Sequence, residues 1–151
     1  MNPPAFHLAQ LNLARFRTAA DDPANAGYLA ALAAVDASAE RAPGFVWRLR
    51  GAGALASGAD AFGDAHVAAN LSVWTDRDAL VAFVYRDPAH RAIMARRRDW
   101  FDKMEAHLVL WWVPAGHRPG FADARFRLDL LRRDGPTADA FTVARGFPAP
   151  G

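Results

Sequence analysis

The sequence predicts an α+β fold whose elements run strand, helix, strand, strand, helix, strand, a split βαβ duplication. Three observations predict it. Apolar and polar residues alternate with period two in three stretches, Phe6 to Leu13, Phe45 to Arg50 and Val67 to Trp74. The stretches between them space their apolar residues at three and four, the mark of helices with one buried face. A fourth strand, Leu108 to Val113, is apolar on both faces, as a strand covered on both sides must be.

In the first strand Phe6, Leu8, Gln10 and Asn12 share one face, and His7, Ala9, Leu11 and Leu13 the other. Asp21, Asp22 and Pro23 open a turn. Asn25 suits an N-cap, and Tyr28, Leu29, Leu32 and Val35 form the stripe of the first helix, which ends near Arg41 before Pro43 and Gly44. In the second strand Phe45, Trp47 and Leu49 oppose Val46, Arg48 and Arg50. Gly51 to Asp64 has no period and reads as a hairpin loop, either a lid or a tolerated insertion.

The third strand sets Val67, Ala69, Leu71 and Val73 against Ala68, Asn70, Ser72 and Trp74. Thr75 or Asp76 caps the next helix, whose stripe of Leu80, Phe83 and Val84 stops at Asp87 and Pro88. Pro88 opens a further helix on which His90, Met94, Arg97 and Phe101 share a face, with Ile93, Trp100 and Met104 beside it. After the fourth strand, Phe121 to Arg133 reads as an extra C-terminal helix and Ala140 to Val143 as a short edge strand. The chain has no spare helices long enough to cover the second face of the sheet completely, so a partner subunit is expected there.

With 151 residues, one domain spanning 1–151 is expected, its core about 6–143. No run of some 18 apolar residues suggests a membrane span. The N-terminus, MNPPAFHLAQLNL, lacks the basic start and long apolar core of a secretory signal, so a cytoplasmic protein is expected. The absence of cysteine excludes disulfides, thiolate nucleophiles and cysteine-ligated metals. A net charge of +2, with Arg96, Arg97 and Arg98 as the one dense cationic run, argues against nucleic acid as a partner. No nucleophile elbow or phosphate-cradling glycine motif is present.

The element order, together with YRDPAHRAIMARRRDWF, HLVLWWVPAGHRP and the later RLDLLRRDGPTADAF, resembles a bacterial domain-of-unknown-function family placed with the dimeric α+β barrels. That superfamily includes antibiotic-biosynthesis monooxygenases, haem-degrading monooxygenases and chlorite dismutase-like haem proteins, and the family is distantly similar to spheroidene monooxygenase. The resemblance implies a ferredoxin-like βαββαβ monomer with an antiparallel sheet that packs against its twin's sheet in a homodimer. It implies monooxygenase-like chemistry on a small hydrophobic or aromatic molecule held between sheet and helices. The alternative is a non-catalytic dimeric module for ligand binding or interaction.

His90 is the first candidate, since a neutral imidazole after a helix break can act as a general base or ligate haem iron. Asn12 and Asn70 are strand amides that can orient a bound oxygen species or a substrate carbonyl, or bond across the ladder. Haem-degrading relatives use an Asn on the first strand, a Trp and a helical His, which Asn12, Trp74 and His90 resemble in placement. Two cofactor routes stay open, haem or none. With haem, His90 would be the axial ligand, Arg97 a propionate partner, and Trp74 and Trp100 walls for the macrocycle. His107 and His117 have no neighbouring ligand at helical spacing, so a zinc site is not expected.

Overall fold

The alternation that begins at Phe6 produces an eleven-residue strand, β1, Phe6–Phe16, in this computed structural model, which describes residues 4–18, 22–49, 62, 66–102 and 107–151. Helix α1, Ala26–Arg41, follows a 3₁₀ turn at Pro23–Asn25. Asp22, not Asn25, supplies the capping carboxylate, accepting from the Ala24 N–H at 2.8 Å. Asn25 is buried, and its amide donates to Thr18 Oγ1 at 3.1 Å. Strand β2, Phe45–Arg48, and strand β3, Val67–Trp74, come next. The loop read as a lid or insertion lies, apart from Phe62, outside the described residues.

Asp76 caps α2, Arg77–Arg86, by accepting from the Ala79 N–H at 2.8 Å. Asp87 ends that helix and caps α3, Pro88–Ala95, accepting from the His90 N–H at 2.9 Å. With proline in the first turn the chain restarts a helix without losing a needed donor. The further helix predicted through Met104 is corrected. It stops at Arg96, whose φ of −105° and ψ of 11° are not helical, and a single turn, α4, Arg97–Trp100, leads into a two-residue strand β4, Phe101–Asp102. His90, Met94, Arg97 and Phe101 therefore share no helix face. Strand β5, Leu108–Pro114, and helix α5, Phe121–Asp134, complete the elements. The edge strand expected at Ala140 to Val143 is reduced to a bridge, in which Phe141 and Leu110 exchange N–H···O bonds of 2.8 and 2.9 Å.

All pairings are antiparallel, and the four longer strands lie in the order β5-β1-β3-β2, the ferredoxin-like arrangement. β4 extends the β5 edge by pairing with the far end of β1. The registers place Leu8 opposite Trp74 and Trp112, Gln10 opposite Ser72 and Leu110, and Asn12 opposite Asn70 and Leu108. Side chains directly opposite in a ladder stand on the same face. The face with even-numbered positions on β1, β3 and β5 packs under α1, α2 and α3, where Leu8, Val35, Ala39, Trp74, Leu80, Phe83 and Leu110 form one core.

The odd-numbered face carries a second core of Ala9, Leu11, Leu13, Val67, Leu71, Val73, Val109, Trp111 and Val113. Ala124, Leu128 and Leu131 of α5 pack directly on it, with Leu128 fully buried. Each such leucine contributes about 1.5–3 kcal/mol by burial. The C-terminal helix predicted at Phe121 to Arg133 thus packs on this second face. A second correction concerns β2. A β-bulge between Phe45 and Trp47 interrupts the alternation, so Phe45 joins Trp74 on the helix side while Trp47 packs with Val73 on the α5 side. Arg48, opposite Ser72, consequently turns toward the helices. No helix among the described residues is long and apolar enough to cross a membrane.

Candidate functional site

The even-numbered face of the sheet carries its polar residues as one band. Gln10, Asn12, Asn70, Ser72 and Arg48 occupy two adjacent rows across β1, β3 and β2. One side of the band is closed by Phe45, Trp74 and Phe83; Phe45 meets Trp74 edge-on at 5.4 Å, and Trp74 stacks on Phe83 at 5.3 Å. The other side is closed by Phe16, Tyr28, Trp100 and Phe101, whose rings lie within 4.8–6.3 Å of their neighbours. Polar side chains between two aromatic clusters need partners in the layer.

Those partners are specific. Gln10 is only 7% exposed, and its Nε2 donates to Ser72 Oγ at 2.7 Å and to Asn70 Oδ1 at 2.9 Å. The Trp74 Nε1–H donates to the same Ser72 oxygen at 3.0 Å. Asn12 and Asn70 face each other across β1 and β3, both half-buried, and the Asn12 amide has no hydrogen-bond partner among the described residues. Arg48 forms an ion pair with Asp36 of α1, its side chain 9% exposed, so the positive charge that reaches the band is matched locally. Burial pushes the Tyr28 phenol up to about 12, against the pull of the Arg48 guanidinium, and keeps it a neutral donor.

His90 sits at the α2–α3 junction, one ring away from the band, its imidazole edge-on to Phe83 at 5.5 Å. Burial holds it below its ordinary 6.5, opposed by a hydrogen bond to the Val84 carbonyl and by the Asp87 charge. Its Nδ1 is enclosed without a partner among the described residues. Asp87 is fixed from α1 as well, because Ser38 Oγ donates to its Oδ1. Although partial burial works in the opposite direction, that bond and the His90 and Ala89 N–H groups hold the Asp87 carboxyl below its ordinary value.

The structure thus brings Asn12, Asn70 and Trp74 together and sets His90 at the aromatic end of the same layer. Trp100 is buried in the opposite cluster. Arg97 is exposed, and its Nη1 donates to the Met94 carbonyl at 2.8 Å. His90, Arg97, Trp74 and Trp100 do not converge as walls and ligand of one macrocycle, so this set does not fit haem. No three His, Asp or Glu side chains converge as a metal site among the described residues. An open groove of about 480 Å³, lined by residues including Asp76, Arg77, Trp112 and Phe147, lies at the β5 edge, away from the band.

Sequence reasoning missed Gln10, Ser72 and Arg48. The first two were legible, since Gln10 shares parity with Asn12, and Ser72 with Asn70 and Trp74. Arg48 was hidden by the bulge.

The model of a family described as a domain of unknown function, DUF3291, matches residues 7–151. No curated protein matches the sequence significantly. Among solved structures, SnoaB, a cofactor-independent oxygenase from Streptomyces nogalater, is 20% identical, with 76% of this chain and 97% of that chain covered and a TM-score of 0.46. A Nitrosomonas europaea protein classed by its name with the antibiotic biosynthesis monooxygenases is 12% identical, with 80% and 99% covered and a TM-score of 0.50. At these identities the likeness is one of fold.

Proposed function

The chain belongs to the DUF3291 family, and from that premise we propose that it is a monooxygenase-like enzyme acting, without a cofactor, on a small electron-rich aromatic molecule held between sheet and helices. The polar band is the observation that carries this reading. Amides and a hydroxyl ordered between two aromatic clusters suit a flat molecule with one polar edge, because the rings take its faces and the amides its oxygen. The antibiotic-monooxygenase name attached to the Nitrosomonas europaea neighbour is in keeping with such chemistry.

A substrate with a CH₂ group on an aryl ring that also bears a carbonyl, so that the carbanion is conjugated with that carbonyl, supplies its own electrons. It loses a proton to give a carbanion, which adds to O₂ to form a carbon–oxygen bond and a peroxide. The peroxide takes up the proton, and loss of water leaves a carbonyl, so CH₂ and O₂ become C=O and H₂O. Asn12 and Asn70 hold the oxygen on which the carbanion's charge rests. His90, neutral near pH 7 because it is buried, is the base at the aromatic end of the layer. In this reading the chain works as a homodimer, as the dimeric α+β-barrel resemblance implies, and sedimentation as a stable 16.4 kDa monomer at micromolar concentration would remove that part.

The direct test is oxygen uptake with anthrone and related aryl ketones that carry an acidic CH₂, under ¹⁸O₂. One labelled oxygen in the product, with turnover lost in Asn70→Ala while the fold persists, is the expected result. Folded protein that takes up no oxygen with any of these probes overturns the enzymatic reading and leaves a ligand-binding or interaction module.

A further inference from the structure

We propose that Gln10 is a positioning residue that fixes which end of the Asn70 amide faces the substrate, so that the site presents an N–H donor and selects an oxyanion. The inference rests on the monooxygenase-like reading for its functional consequence, but its structural part stands on the hydrogen-bond chain alone.

An amide side chain can be turned over without changing its shape, and its orientation is set by its partners. Here two fixed groups remove the ambiguity. The Asn70 backbone carbonyl, which only accepts, lies 3.4 Å from the end of the Gln10 amide that also meets Ser72 and Asn70 Oδ1. An oxygen placed there would face a carbonyl oxygen, so that end is the nitrogen. At the other end of the chain, the Trp74 indole, which only donates, gives its hydrogen to Ser72 Oγ. With hydrogens arriving from Trp74 and Gln10, both lone pairs of the Ser72 oxygen are occupied.

The two hydrogens of the Gln10 NH₂ are thereby spent, one on Ser72 Oγ at 2.7 Å and one on Asn70 Oδ1 at 2.9 Å. With its oxygen committed to Gln10, Asn70 turns its own NH₂ away, and that group has no partner among the described residues. Gln10 is 7% exposed and both hydrogens of its NH₂ are engaged within the sheet, so its effect on the site is exerted through Asn70. A site with an outward N–H in a layer of low polarity favours an enolate or phenolate oxygen over a neutral carbonyl.

The experiment combines side-chain amide NMR with kinetics on the intact chain. In ¹⁵N-labelled protein, with Gln10 and Asn70 assigned by Gln10→Glu and Asn70→Asp, the Gln10 NH₂ is expected to exchange with solvent at least about tenfold more slowly than the Asn70 NH₂. The reverse order, or a freely exchanging Gln10 amide, overturns the proposal whether or not the protein turns over any substrate. With anthrone, Gln10→Glu places a carboxylate beside Asn70, draws the NH₂ inward and turns Oδ1 outward. A fall in kcat of about 100-fold is expected, the scale of losing one oxyanion donor, with KM changed far less.

Lowering the pH protonates the introduced carboxyl, which then donates to Asn70 Oδ1 as the native amide does, and kcat relative to wild type at the same pH, where His90 titrates alike in both, rises back toward one. Gln10→Met has no such donor at any pH, so it loses kcat without recovery and serves also if the glutamate variant fails to fold. Full kcat in either variant overturns the proposal. Absence of turnover in the wild type instead fails the enzymatic reading, and the exchange measurement then decides the role of Gln10.

Discussion

Trp74 of β3 lies stacked on Phe83 of α2, with ring centroids 5.3 Å apart and planes 28° from parallel. The same phenyl ring meets His90 of α3 edge-on, so Phe83 ties sheet, second helix and third helix at the aromatic end of the band. At 9% exposure it is a core residue, and Phe83→Ala is expected to cost about 3–5 kcal/mol, measured by urea unfolding. The near-ultraviolet circular dichroism of Trp74 should weaken in the same variant, because its stacking partner is gone. An unchanged spectrum would mean that Ser72 and Phe45 hold the indole without Phe83.

Gly44 shows how tightly β2 is joined to the start of α2. Its φ is 84°, its carbonyl accepts from the Thr75 N–H at 2.8 Å, and an added methyl would collide with Ala79 and lie 2.7 Å from Thr75 Oγ1. Gly116 has a similar φ of 89° with nothing within 4 Å of an added Cβ. Gly116→Ala should therefore cost only the backbone penalty of about 1 kcal/mol, and Gly44→Ala at least about 2 kcal/mol more, compared by thermal unfolding. Equal losses would show that the contact with Ala79 relaxes freely.

Period-two alternation made the strands legible, and with them the side of the sheet on which Asn12, Asn70 and Trp74 stand, because parity along a strand fixes the face. Parity failed at Arg48, where the bulge between Phe45 and Trp47 adds a residue that no composition signal marks. It also could not reveal that α5 folds back over Trp111 and Val109, since an amphipathic helix announces a buried face without naming what it covers. Arg97 was misplaced for a third reason. Three consecutive arginines have good helix propensity, yet Arg96 is held in a turn by local contacts that propensity does not register: its guanidinium lies 4.7 Å over Trp100, and its Nε donates to Asp99 at 3.0 Å.

Two titrating groups at the α2–α3 junction give separate windows of acid sensitivity. The folded protein holds His90 below 6.5, so between that value and its folded pKa the unfolded chain binds more protons, and stability falls as pH drops through this range. Asp87 is held below 3.8, so its contribution is present above that value and is lost at lower pH. Unfolding free energy measured against pH should flatten in the upper window for His90→Gln and in the lower window for Asp87→Asn. Asp87→Asn retains an oxygen to cap α3, so a large loss near neutrality would contradict the charge-based account.

The bond from Trp74 Nε1 to Ser72 Oγ offers the cleanest measure of how far the band acts as a unit. Trp74→Phe keeps an aromatic ring for Phe83 but removes the only donor the indole has, and Ser72→Ala removes the shared acceptor of Trp74 and Gln10. A buried neutral bond contributes about 1 kcal/mol, while an orphaned partner costs about 1–3 kcal/mol. Ser72→Ala leaves the buried Trp74 N–H unpaired, Trp74→Phe leaves the Ser72 oxygen with Gln10 as its one donor, and the double variant removes both members of the pair. The double loss should therefore fall short of the sum by about 0.5–2 kcal/mol in urea titrations. Strict additivity would mean that Ser72 serves Gln10 alone, and the chain that fixes the Asn70 amide would then end at Ser72 without its donor-only anchor.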